Sequence, residues 1–387
     1  MSELRLRYGC NPHQSNASVT LSEGDLPFRV LNGSPSMINV LDALAAWQLV
    51  RELSSVTGSA AAASFKHTSP AGAAIDGVVP DQLIKSQFLD SIPDSGVARA
   101  YFRARAADRM SSFGDAAAVS ETVDLGLASL LKREVSDLII APSYEASALD
   151  VLCQKKGGSY VVLEMDPSYT PASDVESRDV FGLTISQERD NSVVDATLFQ
   201  NDCSLPTAVT DTLIVATIAL KYTQSNSVCV AFDGQVIGMA AGQQSRIHCT
   251  RLACEKAEKW MLQQHPRVLA MPFQEGLKRP ERTNAVDQYV SWSRLAPPEQ
   301  AALRKSLDFD YEPLSSDERS DWIAKFPDLC LSSDAFIPFR DNIDRAAHTG
   351  IRYVAHTGGS ARDQDVRKAA AEHNIVVVET GLRCFTH

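Results

Sequence analysis

Several familiar catalytic signatures are missing from this chain. Its 387 residues contain no G-x-G-x-x-G, no Walker A lysine, no G-x-S-x-G elbow and no H-E-x-x-H. Dinucleotide-dependent hydride transfer, P-loop ATP chemistry, serine hydrolysis on an elbow and zinc proteolysis therefore have no support. The eight cysteines, at 10, 153, 203, 229, 249, 254, 330 and 384, never fall at C-x-x-C spacing, so reduced structural thiols are expected rather than a zinc or thioredoxin-like site. No run of 18 apolar residues occurs and Met1–Tyr8 has no apolar core, which predicts a cytoplasmic protein with no membrane span. Positive charge is also in deficit: 37 Lys and Arg face 48 Asp and Glu, a net charge of -11. A general nucleic-acid or anionic-membrane surface is excluded, and any anionic ligand must meet a local cluster of cations.

With 44% hydrophobic and 22% charged residues, the chain has enough apolar material for two or three packed units. Its pattern is alternating α/β. Leu41–Leu53 has helical spacing, with Asn39 as its expected N-cap. An apolar strand at 61–65 runs into Lys66-His67 and then a Pro/Gly turn at 68–72. Helices are predicted at 96–109, 125–133 and 145–154, and strands at 114–120, 137–141 and 160–165. The polar stretch 166–180 reads as a boundary, giving units over 1–170 and 171–387. The second unit opens with a helix at 208–222 and two strands, 227–232 and 235–239, joined by an Asp233-Gly234 type I′ turn. A helix at 245–265 leads into a helical insertion at about 255–325. Alternation returns with helices at 341–348 and 361–373 and strands at 351–355 and 375–379.

Six clusters could carry chemistry. Lys66 and His67 place a cation beside a proton acceptor where a strand ends, although neighbours on an extended strand point to opposite faces. Only irregular backbone would bring both to one substrate. Arg7-Tyr8-Gly9-Cys10-Asn11-Pro12-His13-Gln14 is a dense polar start, in which Arg7 and Tyr8 suit a phosphate; an ordered N-terminal turn is the plainer reading. The Gly turn before the strand at 114 follows Arg109. Lys221–Ser227 puts consecutive hydrogen-bonding groups between a helix and a strand, as a ligand loop or as a buried polar network. Ala240–His248 feeds a Gly- and amide-rich turn into a helix, which offers free N–H groups beside Arg246. Alternatively Ser245 is only an N-cap and Arg246 a solvated residue. Ser332–Asn342 joins two aromatics to Asp and Arg, which suits a flat heteroaromatic ligand or a core corner with an ion pair.

In order, R-Y-G-C-N-P-H-Q, K-H-T-S-P-A-G, A-D-R-M-S-S-F-G-D, K-Y-T-Q-S-N-S-V, A-G-Q-Q-S-R-I-H and S-S-D-A-F-I-P-F-R-D-N make the chain resemble the aminoimidazole carboxamide ribonucleotide (AICAR) formyltransferase family. The likeness runs from about Arg5 to His387. It implies two cytidine deaminase-like α/β units with a helical insertion and no zinc, and a homodimer with active sites between subunits. The family's bifunctional members carry an N-terminal inosine monophosphate (IMP) cyclohydrolase domain, whereas Arg7 stands almost at the start here, so a stand-alone transformylase is expected.

Carried over by position, the resemblance makes Lys66, His67 and Asn226 catalytic. It gives AICAR the contacts Arg7, Tyr8, Asn39, Gly114, Asp137, Arg246, Phe336 and Arg383, and lets Ile247, Asp341, Ser360 and Ala361 line a folate pocket. Asn39 and Asp137 also have structural readings, as a helix cap and a strand start. The resemblance further points to a monovalent cation, K+, near Thr223, Ser225, Ser227 and Asp334. The implied reaction moves a formyl group from 10-formyltetrahydrofolate to the 5-amine of AICAR, with His67 as base and Lys66 and Asn226 stabilising the oxyanion. A folate-dependent enzyme for a different amine, or a nucleotide sensor without turnover, are the alternatives.

Overall fold

A computed structural model describes residues 2–200, 204–308 and 311–387. The chain begins with a small hairpin, β1 (Ser2–Arg5) and β2 (Ser18–Leu21), and an edge strand, β3 (Phe28–Asn32). Then come α1 (Met37–Thr57), β4 (Ala61–Lys66), β5 (Ser69–Ile75), α2 (Asp81–Ser86), α3 (Gly96–Ala106) and β6 (Asp115–Val119). The first half closes with α4 (Leu125–Lys132), β7 (Ser136–Ala141), α5 (Ala146–Cys153) and β8 (Val161–Met165). A second hairpin, β9 (Val175–Val180) and β10 (Leu183–Glu188), occupies part of the stretch expected to be only a boundary. Both of its faces are largely solvated, which is why no two-residue alternation of burial announced it.

The second half contains α6 (Thr207–Lys221), β11 (Val228–Phe232), β12 (Gln235–Ala240) and α7 (Arg246–Leu262). Peripheral helices α8 (Pro266–Leu269), α9 (Arg279–Val290), α10 (Pro297–Arg304) and α11 (Ser316–Ile323) follow, around a small core of their own. The half ends with β13 (Cys330–Ser333), α12 (Asp341–His348), β14 (Tyr353–His356), α13 (Asp363–Glu372) and β15 (Val376–Glu379). The helix predicted over 245–265 stops at Leu262, and α8 restarts with proline in its first turn, where a missing N–H does no harm. The peripheral helices thus begin later than the expected 255, because α7 packs on the sheet. Cys203 lies outside the described residues, and the other seven cysteines are free thiols. Among the described residues no helix is long and apolar enough to cross a membrane.

One eleven-stranded sheet joins both halves in the order β15-β14-β13-β11-β12-β5-β4-β6-β7-β8-β3. Each half repeats one plan: a hairpin, a third strand antiparallel to the hairpin's first, then two parallel strands. The halves meet through β5 and β12, which run antiparallel with Ala74 opposite Gln235. Alternation along β4 divides the core, with Ala61, Ala63 and Phe65 in the layer of α1 and α6, and Ala62 in the layer of α3 and α7. Two strand glycines let the second layer close in: a Cβ on Gly72 would lie 2.1 Å from the Ala104 carbonyl of α3, and one on Gly238 lies 2.2 Å from the Ala253 carbonyl of α7. The glycine expected in a turn at 72 is therefore a strand residue.

The helix expected at Leu41 starts at Met37. Its N-cap is Ser36, and Asn39 occupies the third helical position, closing a capping box in which Asn39 Oδ1 accepts from Ser36 N–H at 3.0 Å. Such a cap contributes about 1 kcal/mol. Burying Trp47, Leu49, Val50 and Leu53 contributes roughly 1.5–3 kcal/mol each, so packing fixes the helix and the cap sets where it starts.

Candidate functional site

Strand direction gathers the dispersed clusters along one edge of the sheet. β4 ends there at Lys66, β6 and β7 begin there after Gly114 and Val135, and β11 begins there after Asn226. β12, β13, β14 and β15 all end there, leading to Arg246, Phe336, Ser360-Ala361 and Arg383. These residues do not form one point. At about 4.8 Å per strand, the start of β7 and the end of β13 stand on the order of 30 Å apart.

The first group surrounds the start of α1. Lys66 pairs with Ser69 across a two-residue turn in which His67 and Thr68 have φ of 56° and 55°. This is a type I′ turn without glycine, so the irregular backbone required by the dipeptide is present. Asp42, from the second turn of α1, accepts the Thr68 N–H at 2.6 Å. Burial pushes the Asp42 carboxyl above its ordinary value, opposed by that hydrogen bond and by charge on the exposed His67. Lys66 donates from Nζ to the Phe113 carbonyl at 2.5 Å. Next to it Gly114 has φ of 80°, a conformation that favours glycine, with the Asp137 carboxylate beside its Cα and paired with Lys156.

Arg7 and Tyr8 lie at the N-terminus of the same helix. The Tyr8 carbonyl accepts the Met37 N–H at 3.1 Å, and Arg7 N–H donates to the Pro35 carbonyl at 3.0 Å. The Arg7 guanidinium stacks 4.8 Å from the Tyr8 ring centre and donates to its hydroxyl at 3.0 Å. No acidic side chain occupies the first turn of this 21-residue helix. A positive helix end, a cation and a hydroxyl together suit an anion.

Behind the 108–114 loop is a charged network that the sequence reading missed. Asp115 is fully buried; it accepts from Ser64 at 2.7 Å and Tyr101 at 3.1 Å, and pairs with Arg105 at 2.8 Å. Glu134 binds Arg105 and Arg109, each at 3.1 Å, and Arg279 at 2.8 Å. Burial alone would raise the Glu134 carboxyl, but the three guanidiniums bring it below its ordinary value. Because Ser64 precedes Lys66 by two residues and Asp115 follows Gly114, this network fixes both walls of the first group. The only local signal was an acid or base in an apolar context, as at Asp42 within Val40–Trp47.

The second group forms around Arg246, which is 7% exposed and so not a solvated helix-start residue. A cation at a helix N-terminus is unfavourable, and it is balanced here by a salt bridge to fully buried Asp334. Arg246 also donates to Asn226 Oδ1 at 2.7 Å, while Asn226 Nδ2 donates to the Gln243 carbonyl at 2.9 Å. Phe336 is exposed, and Arg383 stacks on Phe385 at 4.8 Å. Ile247 and Asp341 are half-buried at the starts of α7 and α12, and Ser360 and Ala361 precede α13. The chain end docks on this loop, Thr386 N–H donating to Ser225 Oγ at 3.1 Å. Part of Lys221–Ser227 is a structural network after all: Lys221 Nζ and the Tyr222 hydroxyl both donate to Glu52 of α1, at 2.8 and 2.7 Å.

Of the groups expected around a K+, Ser227 donates to Asp334 at 3.0 Å, while Thr223 donates to the Ala219 carbonyl at 2.7 Å and Ser225 accepts from the Thr386 N–H at 3.1 Å. Among the described residues no cluster of three His, Cys, Asp or Glu side chains could hold a metal ion.

Topology and site together describe an α/β protein of two like halves, with clusters of polar side chains strung along one sheet edge. Residues 1–256 match the model of the family described as AICARFT/IMPCHase bienzyme, and the chain belongs to that family. It is 29% identical to the bifunctional purine biosynthesis protein PurH of Xylella fastidiosa (strain M12), over 99% of this chain and 58% of that protein. It is 30% identical to PurH of Xanthomonas oryzae pv. oryzae (strain MAFF 311018), with the same coverage. The chain thus spans a little more than half the length of these relatives.

Proposed function

We propose that this chain transfers the formyl group of 10-formyltetrahydrofolate to the exocyclic 5-amine of AICAR, giving formyl-AICAR and tetrahydrofolate. The observation that supports this best is the type I′ turn that presents His67 beside Lys66, next to the Arg7-Tyr8 anion site on α1. AICAR is a phosphorylated aminoimidazole, and its amine is a weak nucleophile because its lone pair is drawn into the ring and the carboxamide. It needs a base.

In this scheme the amine nitrogen forms a bond to the formyl carbon while the carbonyl electron pair moves onto oxygen. His67 takes the amine proton. Lys66 and Asn226 stabilise the oxyanion. Collapse restores the carbonyl, breaks the bond to N10 of the folate, and returns a proton from His67 to that nitrogen. Arg7, Tyr8 and Arg383 hold the phosphate, Gly114 and Asp137 the ribose side, and Asn39 supports the helix start. Arg246 and Phe336 meet the carboxamide and the ring, and Ile247, Asp341, Ser360 and Ala361 line the folate side. No step uses a monovalent cation.

The spread of these residues favours a homodimer, in which a second copy brings its Arg246 group over the first copy's Lys66 group. The decisive test is AICAR-dependent formation of tetrahydrofolate from 10-formyltetrahydrofolate by the purified chain, with other aminoimidazoles as controls. Turnover with a different amine would change the substrate. Nucleotide binding without any turnover would replace the enzyme by a sensor.

A further inference from the structure

The two halves hold equivalent turns in equivalent ways. In the second half the Gly234 N–H, at the second position of a turn with positive φ at Asp233 and Gly234, donates to Thr212 Oγ1 of α6 at 3.0 Å. In the first half the Thr68 N–H donates to Asp42 Oδ1 of α1 at 2.6 Å, and the His67 N–H faces the same carboxylate. A neutral hydroxyl is therefore enough to hold such a turn. A carboxylate that is 6% exposed is a more costly acceptor, since burial disfavours the ion. Its charge calls for a use beyond holding, and the side chain presented by the turn is His67.

We propose that Asp42 is a positioning residue for His67: it fixes the main chain of the left-handed turn and supplies a negative charge that stabilises the imidazolium formed when His67 takes up a proton. The inference rests on the reading of His67 as the base. The other charged groups gathered here are Lys66 on β4, Asp137 on β7 and its partner Lys156. Asp137 acts on the Asp42 carboxylate only through its charge, disfavouring ionisation, whereas Asp42 is hydrogen-bonded to the turn itself.

Asp42→Asn keeps the shape and one acceptor oxygen but removes the charge, and Asp42→Thr copies the arrangement of the second half. NMR titration of the His67 ring in the full chain, assigned with His67→Ala, is expected to show the midpoint lowered by about half a pH unit or more in both variants. Formyl-transfer turnover falls about tenfold with KM for AICAR within about twofold, and the low-pH limb of the rate profile moves down with the titration. In a His67→Ala background Asp42→Asn has little further effect. An unchanged His67 titration in a folded variant overturns the proposal, as does full additivity with His67→Ala. Should the parent chain transfer no formyl group, the function proposed above falls, and the titration still decides the role of Asp42.

Discussion

The hairpin turns at 67–68 and 233–234 share a backbone conformation, a place in the repeated topology and a clamp from the helix that opens each half. Their surroundings differ. At the second turn Arg103 of α3, 2% exposed, donates to the Ile75 carbonyl at 2.8 Å and binds the Asp233 carbonyl, so the main chain of the turn is tied down where β5 meets β12. Gly77 makes room for it, since a Cβ there would lie 2.0 Å from the guanidinium. At the first turn Lys66 and His67 stand open beside a helix N-terminus and a cation-tyrosine pair. A repeated scaffold can thus tie the same local device into the core in one half and leave it exposed in the other, where the proposed base stands.

The contrast can be broken at either turn. His67→Ala is expected to cut AICAR-dependent turnover by about a hundredfold or more with nucleotide affinity nearly intact, whereas Asp233→Ala leaves turnover unchanged; equal losses from the two would end the distinction. Arg103→Met, which leaves two carbonyls without their donor, should lower unfolding stability by about 2 kcal/mol in denaturant titration, with turnover per folded molecule preserved. Thr212→Val should cost about 1 kcal/mol by removing the acceptor of the Gly234 N–H, again without a rate effect. The smallest effect concerns Asp42. Its folded carboxyl is raised above the unfolded value, so the folded state holds that proton more tightly and loses stability as pH rises through the folded pKa. Asp42→Asn should therefore gain thermal stability over the parent at pH 7, and the gain should fade in acid, where the parent's carboxyl is protonated. A gain that grew on acidification would contradict burial as the dominant influence.

Much of the fold was legible because its signals are short-range. The Asp233-Gly234 turn, the strand ending at Lys66 and the helix before Tyr222 follow from turn chemistry and apolar spacing within a dozen residues. The small strand β13 and the hairpin β9–β10 escaped, one being four residues long and the other solvated on both faces. Asn39 looks like a cap in sequence, because a cap and a third-position capping-box residue are alike without the helix start. Gly72 looks like a turn residue in sequence because proline and glycine usually mark one, and only the approach of α3 shows why a strand needs it. At the site, polar clusters drew notice and single buried charges did not: Asp42, Asp115 and Glu134 have partners 10 to 145 residues away in several elements.

By itself, the amino-acid sequence determined the alternating elements, the absence of several catalytic motifs and the six polar clusters, all properties of residues near one another in the chain. Tertiary structure decided that those clusters share one sheet edge, that Arg246 is buried against Asp334, and that Asp42 rather than a glycine holds the turn at His67. The physical reason is that pairing across the sheet, such as Ala74 with Gln235, and the burial of charge depend on contacts between distant segments, which local composition does not encode.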